Sequence, residues 1–210
     1  MTDNTDESGS EIHNTHIVVW DVPSAIECGE NFGIKAGVKC CGECRPADWL
    51  VEICDHAGDK LASATLSDEP LQNTTALYGA EVELTAPESQ GLHAWIARVA
   101  ATDSKIPHSG CITGFSVRAV PASECVVMVK AIDQASQAPV KGARVVVHPY
   151  RTFTDECGLA RLAVPKGEYR LFVSGKNYFP FCSDNDVRTD ITIEAKLVVD
   201  RELTDADIWA

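Results

Sequence analysis

The chain has 210 residues, with 31 Asp and Glu against 18 Lys and Arg and a formal net charge of -13. That length allows two small domains or one large one, and the acidic balance argues against nucleic acid or an anionic membrane as main partner, since both reward basic patches. Hydrophobic residues at 45% and charged residues at 23% are ordinary for a globular protein, and no segment approaches the ~20 apolar residues of a membrane span.

Residues 1–14 carry Asp3, Asp6, Glu7 and Glu11 and no Lys or Arg. They read as a disordered acidic tail. A secretory leader needs a basic start and an apolar run, so the expected location is cytoplasmic. From 15 to 120, short β-branched and aromatic runs alternate with turn residues. They are His16–Asp21, Asn31–Val38, Trp49–Cys54, Lys60–Leu66, Leu77–Thr85, His93–Ala101 and Phe115–Val120, about seven strands in all. The regular spacing predicts an immunoglobulin-like antiparallel sandwich. Residues 94–101 contain Trp95, Ile96 and Val99, which do not make a clean helical face.

Pro121-Ala122-Ser123 reads as a joint. Beyond it, strands are expected at Cys125–Ile132, Arg144–His148, Leu159–Val164, Glu168–Ser174 and within Arg188–Val199, with 152–154 leading into a turn. Asp155–Gly158 and Lys166-Gly167 read as turns that need a residue free to adopt positive φ. Phe181–Asp186 reads as a loop whose acids, Asp184 and Asp186, could hold calcium weakly. Residues 202–210 form a second acidic tail ending Ile208-Trp209-Ala210, a docking peptide or an end that folds back or frays.

In the second unit, Val140-Lys-Gly-Ala-Arg-Val, Thr154-Asp-Glu-Cys-Gly158-Leu-Ala and Pro165-Lys-Gly167-Glu-Tyr169-Arg-Leu follow one another in order. This run resembles the carboxypeptidase regulatory-like domain, with the transthyretin-like sandwich and the B-type repeats of collagen adhesins as related folds. The resemblance implies a small β-sandwich over 121–201 that acts as a spacer, regulatory appendage or partner-binding unit. Adhesin repeats often form a Lys–Asn isopeptide bond promoted by an acid on the strand that carries the Tyr-x-Leu motif. Here Val173 stands at that place, so no such bond is expected. The Tyr-Arg-Gly-Ser signature of the transthyretin-like hydrolases is absent from the sequence.

Nine cysteines leave room for thiol or metal chemistry. Cys41 and Cys44 have the gap of a metal knuckle, and Cys54 with His56 could complete a tetrahedral zinc set. The same stretch, with Cys40, could also form a disulfide or stay reduced. An iron–sulfur cluster fits less well, because its closely spaced thiolate runs are missing. His108 and Cys111 form a second, weaker Cys/His pair, while Cys28, Cys125, Cys157 and Cys182 stand alone and are expected to be small buried residues.

No catalytic residue set stands out: G-x-S-x-G, H-E-x-x-H, a phosphate loop and a dinucleotide fingerprint are all absent from the sequence. The expectation is an all-β protein of two tandem antiparallel β-sandwiches, immunoglobulin-like then carboxypeptidase regulatory-like. It would serve as a non-catalytic accessory subunit binding a protein partner or a second copy of itself, with no bound cofactor other than a possible zinc. The competing readings are a metal- or redox-linked protein built on Cys40, Cys41, Cys44 and Cys54, and a surface ligand- or glycan-binding module.

Overall fold

The computed structural model describes residues 12–46, 48–101 and 106–200. The tails expected at 1–14 and 202–210 lie outside these residues, apart from Ile12–Asn14, and so does Trp209. The chain divides into two compact units, one ending at Val120 and the next beginning at Pro121. Every regular element among the described residues is a strand.

The first unit contains β1 (Thr15–Trp20), β2 (Ile26–Glu27), β3 (Asn31–Cys40), β4 (Leu50–Cys54), β5 (Lys60–Thr65), β6 (Leu77–Thr85), β7 (Gly91–Val99) and β8 (Cys111–Val120). They form a three-stranded sheet, β1-β3-β6, and a five-stranded sheet, β2-β8-β7-β4-β5. Alternation along each strand sets the faces. Phe32, Ile34, Ala36 and Val38 of β3 and Val82 and Leu84 of β6 meet Val51, Ile53, Trp95, Ala97 and Val117 from the other sheet. Trp95 fills the centre, stacked 6.2 Å from Phe32 and edge-on to Phe115 at 6.1 Å. On the outer face Gly37 pairs with Gly79. Trp20 and Leu71 lie where their side chains would be, at 3.0 and 2.9 Å.

The second unit contains β9 (Cys125–Asp133), β10 (Arg144–Val147), β11 (Tyr150–Phe153), β12 (Leu159–Val164), β13 (Gly167–Ser174), β14 (Phe181–Val187) and β15 (Ile191–Leu197). Its sheets are β11-β10-β13-β14 and β12-β9-β15. Their inner faces bury Val127, Val129, Val145, Val147, Leu162, Leu171, Val173 and Leu197 as one core. Among the described strands, pairing is antiparallel apart from one parallel strand pair in each unit, β2 with β8 and β9 with β15.

One expectation is corrected. Phe181–Asp186 is a strand, not a loop, and pairs with β13 along its whole length. Its outward positions are Cys182, Asp184 and Asp186, polar enough to hide the strand from a propensity reading. The acids are held by cations: Arg170 grips Asp184 at 2.6 and 3.0 Å, and Arg188 meets Asp186 at 2.7 Å. The Arg170 guanidinium holds the Asp184 carboxyl below its ordinary range. Pairing of this kind leaves no calcium loop at these residues.

The same turn is built in both units. Asp55 Oδ1 accepts from the N–H of Ala57 and Asp59, each at 2.9 Å, and Asp155 Oδ1 accepts from Cys157 at 2.8 Å and Leu159 at 2.9 Å. Gly58 and Gly158 close these turns at φ 91° and 72°, a region that glycine enters without steric cost.

Candidate metal centre

Cys40 is the last residue of β3, and alternation turns its side chain inward, where it is buried. The chain then folds over it. The Gly42 N–H donates to Cys40 Sγ at 3.3 Å, and Glu43 takes φ 54° with its N–H on the Cys40 carbonyl at 3.2 Å. That tight turn brings Cys44 back beside Cys40.

β1 supplies the next group. Thr15 pairs with Cys40, and the Cys41 N–H donates to the Asn14 carbonyl at 2.9 Å. His13 therefore sits directly over the turn. Its Nδ1 lies 3.2 Å from Cys44 Sγ and 3.6 Å from Cys40 Sγ.

His108 arrives from the segment before β8. It forms a parallel bridge with His13. The His13 N–H donates to the Pro107 carbonyl at 3.0 Å, and the Ser109 N–H to the His13 carbonyl at 2.9 Å. The Thr15 hydroxyl adds a 2.6 Å bond to the Ser109 carbonyl. These bonds fix the two histidine backbones against each other. The His108 ring is 6% exposed, edge-on to Trp49 at 4.8 Å and to His13 at 5.4 Å. Neither of its nitrogens has a hydrogen-bond partner among the described residues. A neutral imidazole carries one donor and one acceptor, and each buried polar group left unsatisfied costs about 1–3 kcal/mol.

The ligand atoms of His13, Cys40, Cys44 and His108 all lie within 4.8 Å of one another. A zinc tetrahedron with Zn–S of about 2.3 Å and Zn–N of about 2.0–2.1 Å has edges of about 3.3–3.8 Å. The four groups thus need shifts of about 1 Å to close around an ion. Burial pushes the Cys44 thiol up, and the neighbouring Cys40 and Cys41 add to the shift. A dication bound there would favour the thiolate that burial disfavours at Cys44.

Of the residues expected from sequence to hold zinc, only Cys44 belongs to this cluster. Cys41 is exposed. Cys54 is fully buried on β4 among the core side chains. His56 is exposed in the Asp55–Gly58 turn, which takes it off the face that a continued strand would have shared with Cys54. Cys111 is half-buried against the core, so it does not pair with His108 in the cluster. The spacing of Cys40 and Cys44 lies within the usual range for zinc thiolates. His13 carried no local signal and His108 only a weak one beside Cys111, because strand pairing is what brings residues 13 and 108 together.

No family model matches the sequence, and no curated protein matches it. Among solved structures, the chain is similar to the major pilin subunit BcpA of Bacillus cereus at 13% identity, covering 89% of this chain and 71% of that one, with a TM-score of 0.28. It is similar to a teleost fish polymeric Ig receptor ectodomain at 10% identity, covering 88% and 99%, TM-score 0.33. For the Yersinia pseudotuberculosis adhesin InvE the values are 12% identity, 82% and 58% coverage, and 0.29. At such scores the fold assignment rests on the strands themselves. They make an all-β protein of two β-sandwich units, the first immunoglobulin-like in its sheet order.

Proposed function

We propose that the chain is a non-catalytic binding module whose second unit carries the partner-facing surface. One observation supports this most. On the outer face of the β11-β10-β13-β14 sheet, Phe153 is 62% exposed and Phe172 is 44% exposed. They flank β10 on either side, with Arg144 opposite Phe153, and Val146 opposite both Arg151 and Phe172. Exposed aromatic residues interleaved with arginine are the composition enriched at protein–protein hot spots. Arg144 and Arg151 favour acidic groups within the partner's apolar patch, while the net charge of -13 over the whole chain favours basic groups around its rim.

The carboxypeptidase regulatory-like reading of this unit fits the way its motif residues lock together. Thr154 Oγ1 donates to the Val140 carbonyl at 2.6 Å and accepts from the Ala143 N–H at 2.8 Å, joining the first motif to the second. The Tyr169 hydroxyl donates to the Pro165 carbonyl at 2.9 Å, closing the third. A role as an accessory subunit follows from that reading. A cytoplasmic setting would keep the thiols reduced.

The test is size-exclusion chromatography with light scattering, on full-length chain purified gently from its native host. A fixed-stoichiometry complex or homodimer is expected, and Phe153→Asp with Phe172→Asp should release it while leaving the circular dichroism unchanged. A complex that survives both substitutions, or a lone monomer at micromolar concentration, would overturn the proposal.

A further inference from the structure

The corner where β1, the end of β3 and the segment before β8 meet gathers two thiols and two imidazoles, and we propose that it is a structural Zn2+ site ligated by His13, Cys40, Cys44 and His108. This inference concerns the first unit and does not depend on the binding surface of the second.

His108 carries the argument. Its ring is buried, and both nitrogens lack a partner among the described residues. Buried polar atoms in folded proteins are almost always satisfied. Two thiols and another imidazole bring their ligand atoms within 4.8 Å of the His108 ligand atom. A metal ion at the centre of the four would occupy one His108 nitrogen and relieve the crowding of Cys40 and Cys44 together. A Cys40–Cys44 disulfide would use two of the four groups and leave His108 as it is.

The donor set selects the ion. Two sulfurs and two nitrogens in a compact tetrahedral arrangement suit Zn2+ and are foreign to calcium or magnesium, which take oxygen. Four protein ligands close the coordination sphere, the mark of a structural rather than a catalytic zinc. The second shell is also present. The Gly42 N–H donates to Cys40 Sγ at 3.3 Å and orients that sulfur. Glycine at 42 is required as well, because a Cβ there would lie 2.4 Å from His13 Cε1.

The ligands come from both layers of the sandwich. His13 and the two cysteines adjoin the three-stranded sheet, and His108 leads into the five-stranded one. The metal would therefore staple the sheets together, in a unit whose cysteines are all free thiols.

The experiment is anaerobic titration of reduced, metal-stripped full-length chain with Co2+, followed by Zn2+ competition and X-ray absorption at the zinc edge. About one ion per chain is expected, as for a single four-ligand site. The cobalt form should show tetrahedral visible bands with thiolate charge transfer, and the zinc form a shell of two sulfurs and two nitrogens. Cys44→Ser and His13→Ala, both at half-buried positions, should each weaken binding at least about tenfold, whereas Cys41→Ser and His56→Ala should leave it unchanged. Absence of uptake, an octahedral cobalt spectrum, loss of binding in the Cys41 or His56 variants, or a Cys40–Cys44 disulfide in freshly isolated native protein would each overturn the assignment. X-ray absorption on the unmodified chain decides the question even where a variant fails to fold.

Discussion

The His13 ring occupies the space that any side chain at Gly42 would need: a Cβ built there falls 2.4 Å from Cε1 and 2.6 Å from Nδ1. Gly42→Ala should therefore push His13 off the cluster while leaving both cysteines in place. The expected result is a loss of Zn2+ affinity of about 10–100-fold, the range seen when residues that orient a ligand are changed. Competition against a chromophoric chelator would measure it, and an unaltered affinity would place His13 outside the site.

Chelation should destabilise the first unit selectively. The ligands close a span of nearly 100 residues, and by the chain-entropy argument a cross-link of that length is worth about 4–5 kcal/mol. Calorimetry with and without a chelator should show the first unit's transition moving down by about 15–25 °C, with the second unit's transition fixed. Equal shifts in both, or none, would contradict a metal staple confined to the first unit.

The two Asp-x-x-Gly turns share their hydrogen bonds but differ in their surroundings. A Cβ at Gly158 would lie 2.5 Å from the Ala131 carbonyl oxygen, whereas one at Gly58 would meet open space. Both sit at positive φ, which costs a non-glycine residue of order 1–3 kcal/mol. Gly58→Ala should show about 1 kcal/mol of that range, and Gly158→Ala clearly more, because backbone must also move. Urea denaturation of the two variants provides the comparison, and equal losses would mean that the Ala131 contact yields freely.

Glu52 lies between Arg98 at 3.0 Å and Lys60 at 3.4 Å. The Arg98 hydrogen bond, with a smaller contribution from Lys60, holds its carboxyl below the ordinary glutamate value. A depressed folded-state pKa adds stability above the unfolded-state value, and that stability disappears as pH falls through the folded one. Glu52→Gln should cost about 0.5–1 kcal/mol at neutral pH, with the difference from the parent shrinking as pH falls below the ordinary glutamate range. A pH-independent difference would point to packing instead of charge.

The strands were legible wherever one face is buried and the other wet. β3 and β6 alternate almost without exception, and Leu159–Val164 was read to the residue. β14 failed because four of its seven residues are Ser, Asp or Asn, and its stability comes from pairing with β13 and the grip of Arg170 on Asp184. β2 is two residues long, too short for any period. Of the cluster only Cys44 was in the expected zinc set. The two-residue gap favoured Cys41 over Cys40, His13 sits in a stretch read as tail, and His108 was read as a loop residue paired weakly with Cys111. The meeting of the two histidines depends on the β1–β3 register and a single bridge, neither of which leaves a mark in local sequence. Cys54 and His56 misled because the chain turns at Asp55, so side chains that a strand would have aligned diverge.

The parallel pairing of β9 with β15 has a mechanical consequence. The first and last strands of the second unit lie side by side and run the same way for seven residues, Ile191 beside Val127 through Leu197 beside Asp133. Tension applied to the unit's two ends would pull these neighbours along each other in opposite senses. The load would fall on the whole hydrogen-bonded ladder at once, instead of opening it rung by rung as in a hairpin pulled apart at its ends. A unit wired in this way resists stretching far better than its equilibrium stability alone would suggest.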